Sequence, residues 1–128
     1  MSVALMGPSG GSNTCTLKAL DSYEKVLLWS NDSTTQFPGQ TVEFSNNESY
    51  GLFYVECSYR YDQTTLTAGT YVPSGVNTVL PTFTGANYWY RFVTITAGKA
   101  VFEGGQGGGN NTITIPRRIY GLKGTKMK

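Results

Sequence analysis

The stretch GLFYVECSYRY, residues 51–61, decides the fold class of this chain. Aromatic and β-branched residues dominate it, and such side chains favour strands. Successive side chains of a strand point to opposite faces of the sheet. One face of this strand would carry Phe53, Val55, Cys57 and Tyr59. The other face would carry Leu52, Tyr54, Glu56, Ser58 and Arg60. The first face is typical of a core, and the second of a partly wet or subunit-facing surface.

Further short segments with strand patterns lie on both sides of this stretch, separated by turn residues. They are residues 14–20, 24–30, 40–45, 70–72, 76–80, 88–96, 99–103 and 112–116. Pro73 and Pro81 break two of them, which predicts edge strands because proline cannot donate a ladder hydrogen bond. Gly98 lies between two strong segments and predicts a hairpin there. No window of more than a few residues shows helical periodicity.

These patterns predict an all-β protein, an antiparallel β-sandwich of eight or nine short strands, jelly-roll-like or immunoglobulin-like. The length of 128 residues fits one domain of ordinary size. We expect an N-terminal arm over residues 1–13, the sandwich over 14–123 and a basic tail over 124–128.

The charge of the chain argues against a nucleic-acid-binding protein. Charged residues make up only 14% and the net charge is +2, whereas nucleic-acid-binding modules carry clustered basic faces. The basic residues gather near the end, as Arg117, Arg118, Lys123, Lys126 and Lys128. A solvated tail is the favoured interpretation, and contact with an acidic surface polymer or with nucleic acid is the alternative.

The residues needed for common catalytic and metal sites are missing from the sequence. There is no histidine, so the usual general base and the common triads are absent. Cys15 and Cys57 cannot supply four zinc ligands, and we expect both to be free, buried thiols. Glu43, Glu56 and Glu103 lie on predicted strands. A glycosidase would need two of these carboxylates facing each other across a cleft, and outward solubilising groups are the favoured interpretation. The sequence therefore predicts a protein that is not an enzyme and binds no metal or cofactor.

Aromatic residues supply the most suggestive candidate site. Tyr88, Trp89 and Tyr90 are consecutive, so at least one ring must face outward from a strand. Together with Gln106 and Asn110 of the glycine-rich stretch 104–111, they form a candidate glycan-binding site. That stretch has no Lys-Ser/Thr of a phosphate-binding loop, and we expect a mobile hairpin tip that could serve as a contact loop.

The alternative for these rings is packing in the core or at an oligomer interface, which aromatic residues do well. Trp29 and Tyr71 are further candidates for contact with a sugar ring. The sequence pattern leaves both interpretations open.

The N-terminal segment has neither the charged start nor the long apolar run of a signal peptide. No stretch approaches the length of a membrane span. The short apolar run that contains Val3, Leu5 and Met6 precedes a glycine-rich hinge. Because such a run is costly to leave exposed, it is a candidate anchor to a partner.

Three parts of the sequence carry short motifs of a known family. Residues 25–44 are KVLLWSNDSTTQFPGQTVEF, residues 49–59 are SYGLFYVECSY, and residues 113–123 are ITIPRRIYGLK. The residues that carry the motifs are Leu28, Trp29, Asn31, Gly39, Gln40, Thr41, Val42, Tyr50, Pro116, Ile119, Tyr120, Gly121 and Lys123. Over residues 24–123 the chain resembles the C-terminal module of tail-fibre and minor structural proteins from phages of Gram-positive hosts.

This resemblance implies a virion protein, made in the host cytoplasm and often oligomeric, with a trimer as the family's common form. Other virion proteins, bound through the N-terminal arm, and a host-surface glycan would be its partners; nucleic acid and membrane would not. Whether it is a receptor-binding fibre tip or a capsid decoration protein stays open.

Overall fold

In the part of the chain that the structure describes, the fold is an all-β sandwich of eight strands, as the sequence predicts. It is given by a computed structural model that describes residues 23–45 and 49–125. The strands are β1 (Lys25–Ser30), β2 (Gln40–Glu43), β3 (Leu52–Arg60), β4 (Thr70–Pro73), β5 (Thr78–Thr84), β6 (Asn87–Thr96), β7 (Lys99–Phe102) and β8 (Ile113–Leu122). The predicted strand at 14–20, the arm and the end of the basic tail lie outside the described residues.

These strands form two antiparallel sheets of four. The first strand, β1, pairs with the last, β8, and β2 pairs with β7. The first sheet has the order β1-β8-β3-β4 and the second the order β2-β7-β6-β5. The prediction that the proline-containing segments are edges is confirmed, because β4 and β5 are edge strands. However, β5 runs on through Pro81 to Thr84, since an edge strand needs ladder partners on one side only.

The core lies between the sheets and uses the predicted face of β3. Phe53, Val55 and Cys57 are buried, and they pack with Val93 and Ile95 of β6 in the same cluster. Burial raises the pKa of the Cys57 thiol to about 12, because the thiolate cannot be solvated there. Cys57 is a free, buried thiol as predicted, while Cys15 lies outside the described residues.

Several motif residues have structural tasks. The Trp29 ring lies 6.2 Å from Phe37 and 6.1 Å from Phe102, centroid to centroid. Asn31 Nδ2 donates to the carbonyl of Pro116 at 3.1 Å. A Cβ on Gly121 would lie 2.6 Å from the Tyr50 ring, so only glycine fits beneath that tyrosine. The short motifs thus mark positions that fix the fold.

The prediction of a solvated basic cluster near the end of the chain is wrong for Arg117. This residue lies in β8 and is 1% exposed. The register of β3 with β8 shifts at this point, because Glu56 lies opposite Arg118 but Cys57 lies opposite Pro116. Arg117 is therefore the extra residue of a β-bulge, and a bulge changes the direction of a side chain. Its guanidinium donates to backbone carbonyls of two loops and to a hydroxyl. These acceptors are the carbonyls of Asn31, Ser33, Tyr61 and Gln63 and the Oγ of Ser58.

The glycine-rich stretch 104–111 is also different from the prediction. It is not the tip of a hairpin between its two flanking strands, because it connects β7 of the second sheet to β8 of the first. Gly104 and Gly105 are buried, and a Cβ on Gly104 would overlap the carbonyl of Gly108. Gly105 and Asn110 pair as an isolated antiparallel bridge. The stretch is therefore a tightly folded crossover.

Candidate functional site

The outer face of the second sheet carries four aromatic rings in contact, which we call the aromatic row. Along β6, Arg91, Val93 and Ile95 are buried, so the alternate side chains point to the opposite face of the sheet. That face carries Tyr88, Tyr90 and Phe92 of β6. Phe83 of the edge strand β5 pairs with Tyr88 in register and completes the row.

The rings of the aromatic row follow one another along the strand. Ring centroids are 5.4 Å apart for Phe83 and Tyr88, 5.6 Å for Tyr88 and Tyr90, and 5.8 Å for Tyr90 and Phe92. Tyr88 and Tyr90 are stacked with an interplanar angle of 24°. Phe83 is 64% exposed and Tyr88 47% exposed, whereas Tyr90 and Phe92 are half-buried. The row therefore offers ring surface to solvent, most of it at the Phe83 end.

Polar groups border the other end of the row. Asn77 Nδ2 donates to Thr94 Oγ1 at 3.0 Å and to Glu103 Oε2 at 3.3 Å. Glu103 lies beside Phe92, because its backbone N–H donates to the Phe92 carbonyl at 2.9 Å. A ligand along the row would meet apolar rings first and hydrogen-bonding groups next to Phe92.

The crossover brings Gln106 to the middle of the row. The backbone N–H of Gln106 donates to the Tyr90 carbonyl at 2.8 Å. In return, the Tyr90 N–H donates to Gln106 Oε1, also at 2.8 Å. Of the five sequence-predicted residues, the structure thus brings Tyr88, Tyr90 and Gln106 together.

Trp89 and Asn110 lie elsewhere. Trp89 alternates with the row along β6 and is half-buried on the inner side; its Nε1 donates to Thr84 Oγ1 at 3.1 Å, and its ring lies 5.9 Å from Tyr59. Asn110 Oδ1 accepts from the backbone N–H of Thr112 at 3.0 Å and from its hydroxyl at 2.7 Å. Both side chains have structural partners, and neither joins the row.

The two further aromatic candidates are divided between the core and the other sheet. Trp29 packs against the core. Tyr71 belongs to a group on the outer face of the first sheet, formed by Tyr54, Tyr71 and Tyr120, which we call the tyrosine cluster. Its rings are 4.9 Å apart for Tyr54 and Tyr71 and 6.3 Å apart for Tyr54 and Tyr120.

Arg91 is a site residue that the sequence interpretation missed. It is 0% exposed and lies under the row, between Tyr90 and Phe92 in sequence. Its three nitrogens donate to the carbonyls of Thr114, Glu103 and Ile113 at 2.8, 3.0 and 2.9 Å. Burial lowers the pKa of Arg91 to about 10, since a buried cation loses hydration. The sequence could have predicted its burial, because Arg91 alternates in period two with the apolar Val93 and Ile95.

The three strand carboxylates considered for catalysis do not face one another across a cleft. Glu56 lies on β3 in the first sheet, whereas Glu43 ends β2 in the second. Glu103 follows β7 and is held by Asn77. A pair of carboxylates flanking a bond, as glycoside hydrolysis requires, is not formed by these three.

Within residues 23–45 and 49–125, no three Asp, Glu, His or Cys residues gather in a way that could hold a metal ion. In the same ranges no helix is long and apolar enough to cross a bilayer. The proposed anchor residues Val3, Leu5 and Met6 lie outside the described residues.

Comparisons with protein-family models, curated proteins and solved structures found no match to this chain. The resemblance to phage virion modules therefore stays a prediction from the short sequence motifs.

Proposed function

We propose that this chain is a non-enzymatic adhesion module that binds a neutral glycan along the aromatic row. The observation that carries the proposal is the row itself, with Phe83 and Tyr88 exposed on a sheet face. The apolar C–H face of a sugar ring packs well on an aromatic ring, and the tyrosine hydroxyls add polar contacts.

The charge around the row favours a neutral ligand. The row consists of two Phe and two Tyr side chains, and the Glu103 side chain lies at one end. A nucleic acid would also stack on aromatic rings, but it needs Lys or Arg to neutralise its phosphates. A neutral, hydroxyl-rich polymer meets no such requirement.

The shape of the site also favours an extended ligand. The row follows β6, where alternate side chains are roughly 7 Å apart along the strand. A ligand that repeats a ring unit could therefore contact several side chains in succession. Hydrogen-bonding groups border the row at Gln106 and at Asn77, and such groups fix the orientation of a bound ligand.

The setting we propose is a phage particle, as a fibre tip or surface-decoration protein, because of the short motifs in residues 25–44 and 113–123. Other virion proteins would hold the chain through residues 2–13, and a homo-oligomer would display several copies of the row. Electron microscopy of particles labelled with an antibody to this chain tests the setting. Particles without label on head or tail would contradict it.

Binding of the purified chain to an array of neutral and charged glycans tests the adhesion function. We expect a neutral glycan to bind with little dependence on salt, since screening acts on charges. Tyr88→Ala should weaken binding by roughly tenfold or more, because stacking on one ring is worth about 1–3 kcal/mol. Tyr71→Ala, on the tyrosine cluster, is the matched control and should bind normally. Absence of glycan binding, or equal binding by both variants, would reject the function.

A further inference from the structure

The side-chain amide of Gln106 is fixed beside Tyr90 in one orientation. A backbone N–H can only donate, so the Gln106 atom that faces the Tyr90 N–H at 2.8 Å must be the amide oxygen. The Nε2 of the same amide is therefore set as a donor next to the row. Within residues 23–45 and 49–125, no group accepts a hydrogen bond from this Nε2, and the Gln106 side chain is exposed.

The backbone conformation of Gln106 and Gly107 fixes the position of the Gln106 side chain. Gln106 has a φ of 56° and Gly107 a φ of 82°, in the left-handed region that strongly favours glycine. A Cβ on Gly107 would lie 3.4 Å from the Tyr90 hydroxyl oxygen. The crossover thus follows Tyr90 from its backbone to the tip of its ring.

Arg91 anchors both ends of the same crossover. One terminal nitrogen donates to the Glu103 carbonyl, where the crossover begins, and the other donates to the Ile113 carbonyl, where it ends. Because Arg91 belongs to the strand that carries the row, the crossover is tied to the row at its ends and at Gln106. A donor held this way loses little conformational entropy when it binds a ligand.

We propose that Gln106 is the specificity-determining residue of the aromatic row. With Oε1 committed to Tyr90, Nε2 donates to an oxygen that can only accept, the acetamido carbonyl oxygen of a sugar whose ring stacks on Tyr88 and Tyr90. The ligand class is a neutral glycan that presents an acceptor oxygen beside its stacked ring. This inference rests on the proposed glycan-binding function.

The variant Gln106→Glu tests the donating Nε2 of the amide separately from the accepting Oε1. A glutamate still accepts from the Tyr90 N–H, but it offers an oxygen in place of the donating Nε2. We expect glycan binding to weaken about tenfold, which corresponds to roughly one lost hydrogen bond. The Tyr90 amide proton in the NMR spectrum reports whether the crossover stays in place. Gln106→Met, which removes both halves, should shift that proton and weaken binding further.

A ligand series gives a second measurement that is independent of the stability of the variants. A sugar that lacks the acetamido group should bind the wild-type chain more weakly than the parent sugar does, but it should bind Gln106→Glu no more weakly than the parent sugar does. That pattern assigns the acceptor by a double-mutant cycle.

The outcomes separate this inference from the function on which it rests. If Tyr88→Ala loses binding while Gln106→Glu binds as the wild type does, glycan binding stands and the role of Gln106 is wrong. If the wild-type chain binds no glycan, both proposals fail. Weaker binding by Gln106→Glu, with a Tyr90 amide proton that stays protected from exchange with solvent, supports the role of Gln106.

Discussion

The outer faces of the two sheets both carry aromatic residues, but they differ in what those residues contact. In the tyrosine cluster, Tyr54 lies between two rings and its hydroxyl accepts from the Gly69 N–H at 3.1 Å. Lys25 Nζ lies 4.9 Å from the centroid of the same ring. The ring of Tyr54 is therefore enclosed by partners from its own chain.

The aromatic row has partners from its own chain mainly at Tyr90, in its middle. Tyr90 is flanked by the crossover, but Phe83 and Tyr88 contact each other and remain exposed. Single exposed apolar residues are ordinary, whereas a contiguous exposed patch marks an interaction surface. The comparison teaches that counting aromatic residues on a face does not locate a binding site, since only groups left without internal partners are available to a ligand.

The largest expected effect concerns the buried arginine beneath the row. Arg91→Met removes two buried hydrogen bonds and one part-buried hydrogen bond to backbone carbonyls. It should lower the free energy of unfolding by about 3 kcal/mol, since each buried acceptor left unpaired is costly. Urea denaturation measures this loss. Below the unfolding transition, the variant should also bind glycan more weakly, because the crossover that carries Gln106 is released.

Arg117→Met is the matched control for that experiment. Arg117 donates to the loops at residues 31–33 and 61–63 and touches neither the row nor the crossover. We expect a comparable loss of stability with unchanged glycan affinity. Equal affinity losses in the two variants would show that binding follows global stability and not the row.

The second effect tests the comparison of the two faces directly. Tyr54→Ala should lower the free energy of unfolding by about 2 kcal/mol, since it removes an enclosed ring and leaves the Gly69 N–H without its acceptor. Tyr88→Ala should change stability by no more than about 0.5 kcal/mol, as is usual for an exposed side chain. Urea denaturation of both variants measures the difference. Equal losses would mean that the row is as closely packed as the cluster.

The period-two patterns were sufficient to predict the strands and the fold class. Phe53, Val55 and Cys57 are buried as their alternation requires, and the prolines at 73 and 81 correctly predict edge strands. Local sequence carries this information because alternation and ladder hydrogen bonds are local properties of a strand.

The candidate site was predicted only in part, because its assembly depends on pairing between distant segments. The sequence places Tyr88 and Tyr90 on one face, yet their contact with Phe83 requires the register of β5 with β6. The contact with Gln106 requires a crossover between sheets. Arg117 was assigned to a basic tail because sequence proximity to Arg118 and Lys123 hides the extra residue that turns it inward. Charge counting cannot detect such a bulge.

The smallest effect is a pH dependence confined to the tyrosine cluster. Burial, with a further contribution from the Glu56 carboxylate, raises the pKa of Tyr120 above its ordinary 10.0. The folded chain therefore keeps a proton that the unfolded chain releases as the pH rises through 10. The stability that this phenol contributes is fully present below that pH and is lost above it.

Wild-type protein should accordingly lose more stability than Tyr120→Phe over this range, in urea denaturation at a series of pH values. Glu56→Gln is the control, since it removes the carboxylate and should shift the phenolate absorbance of Tyr120 to lower pH. Parallel pH profiles for wild type and Tyr120→Phe would mean that Tyr120 is as open to water as the exposed end of the aromatic row.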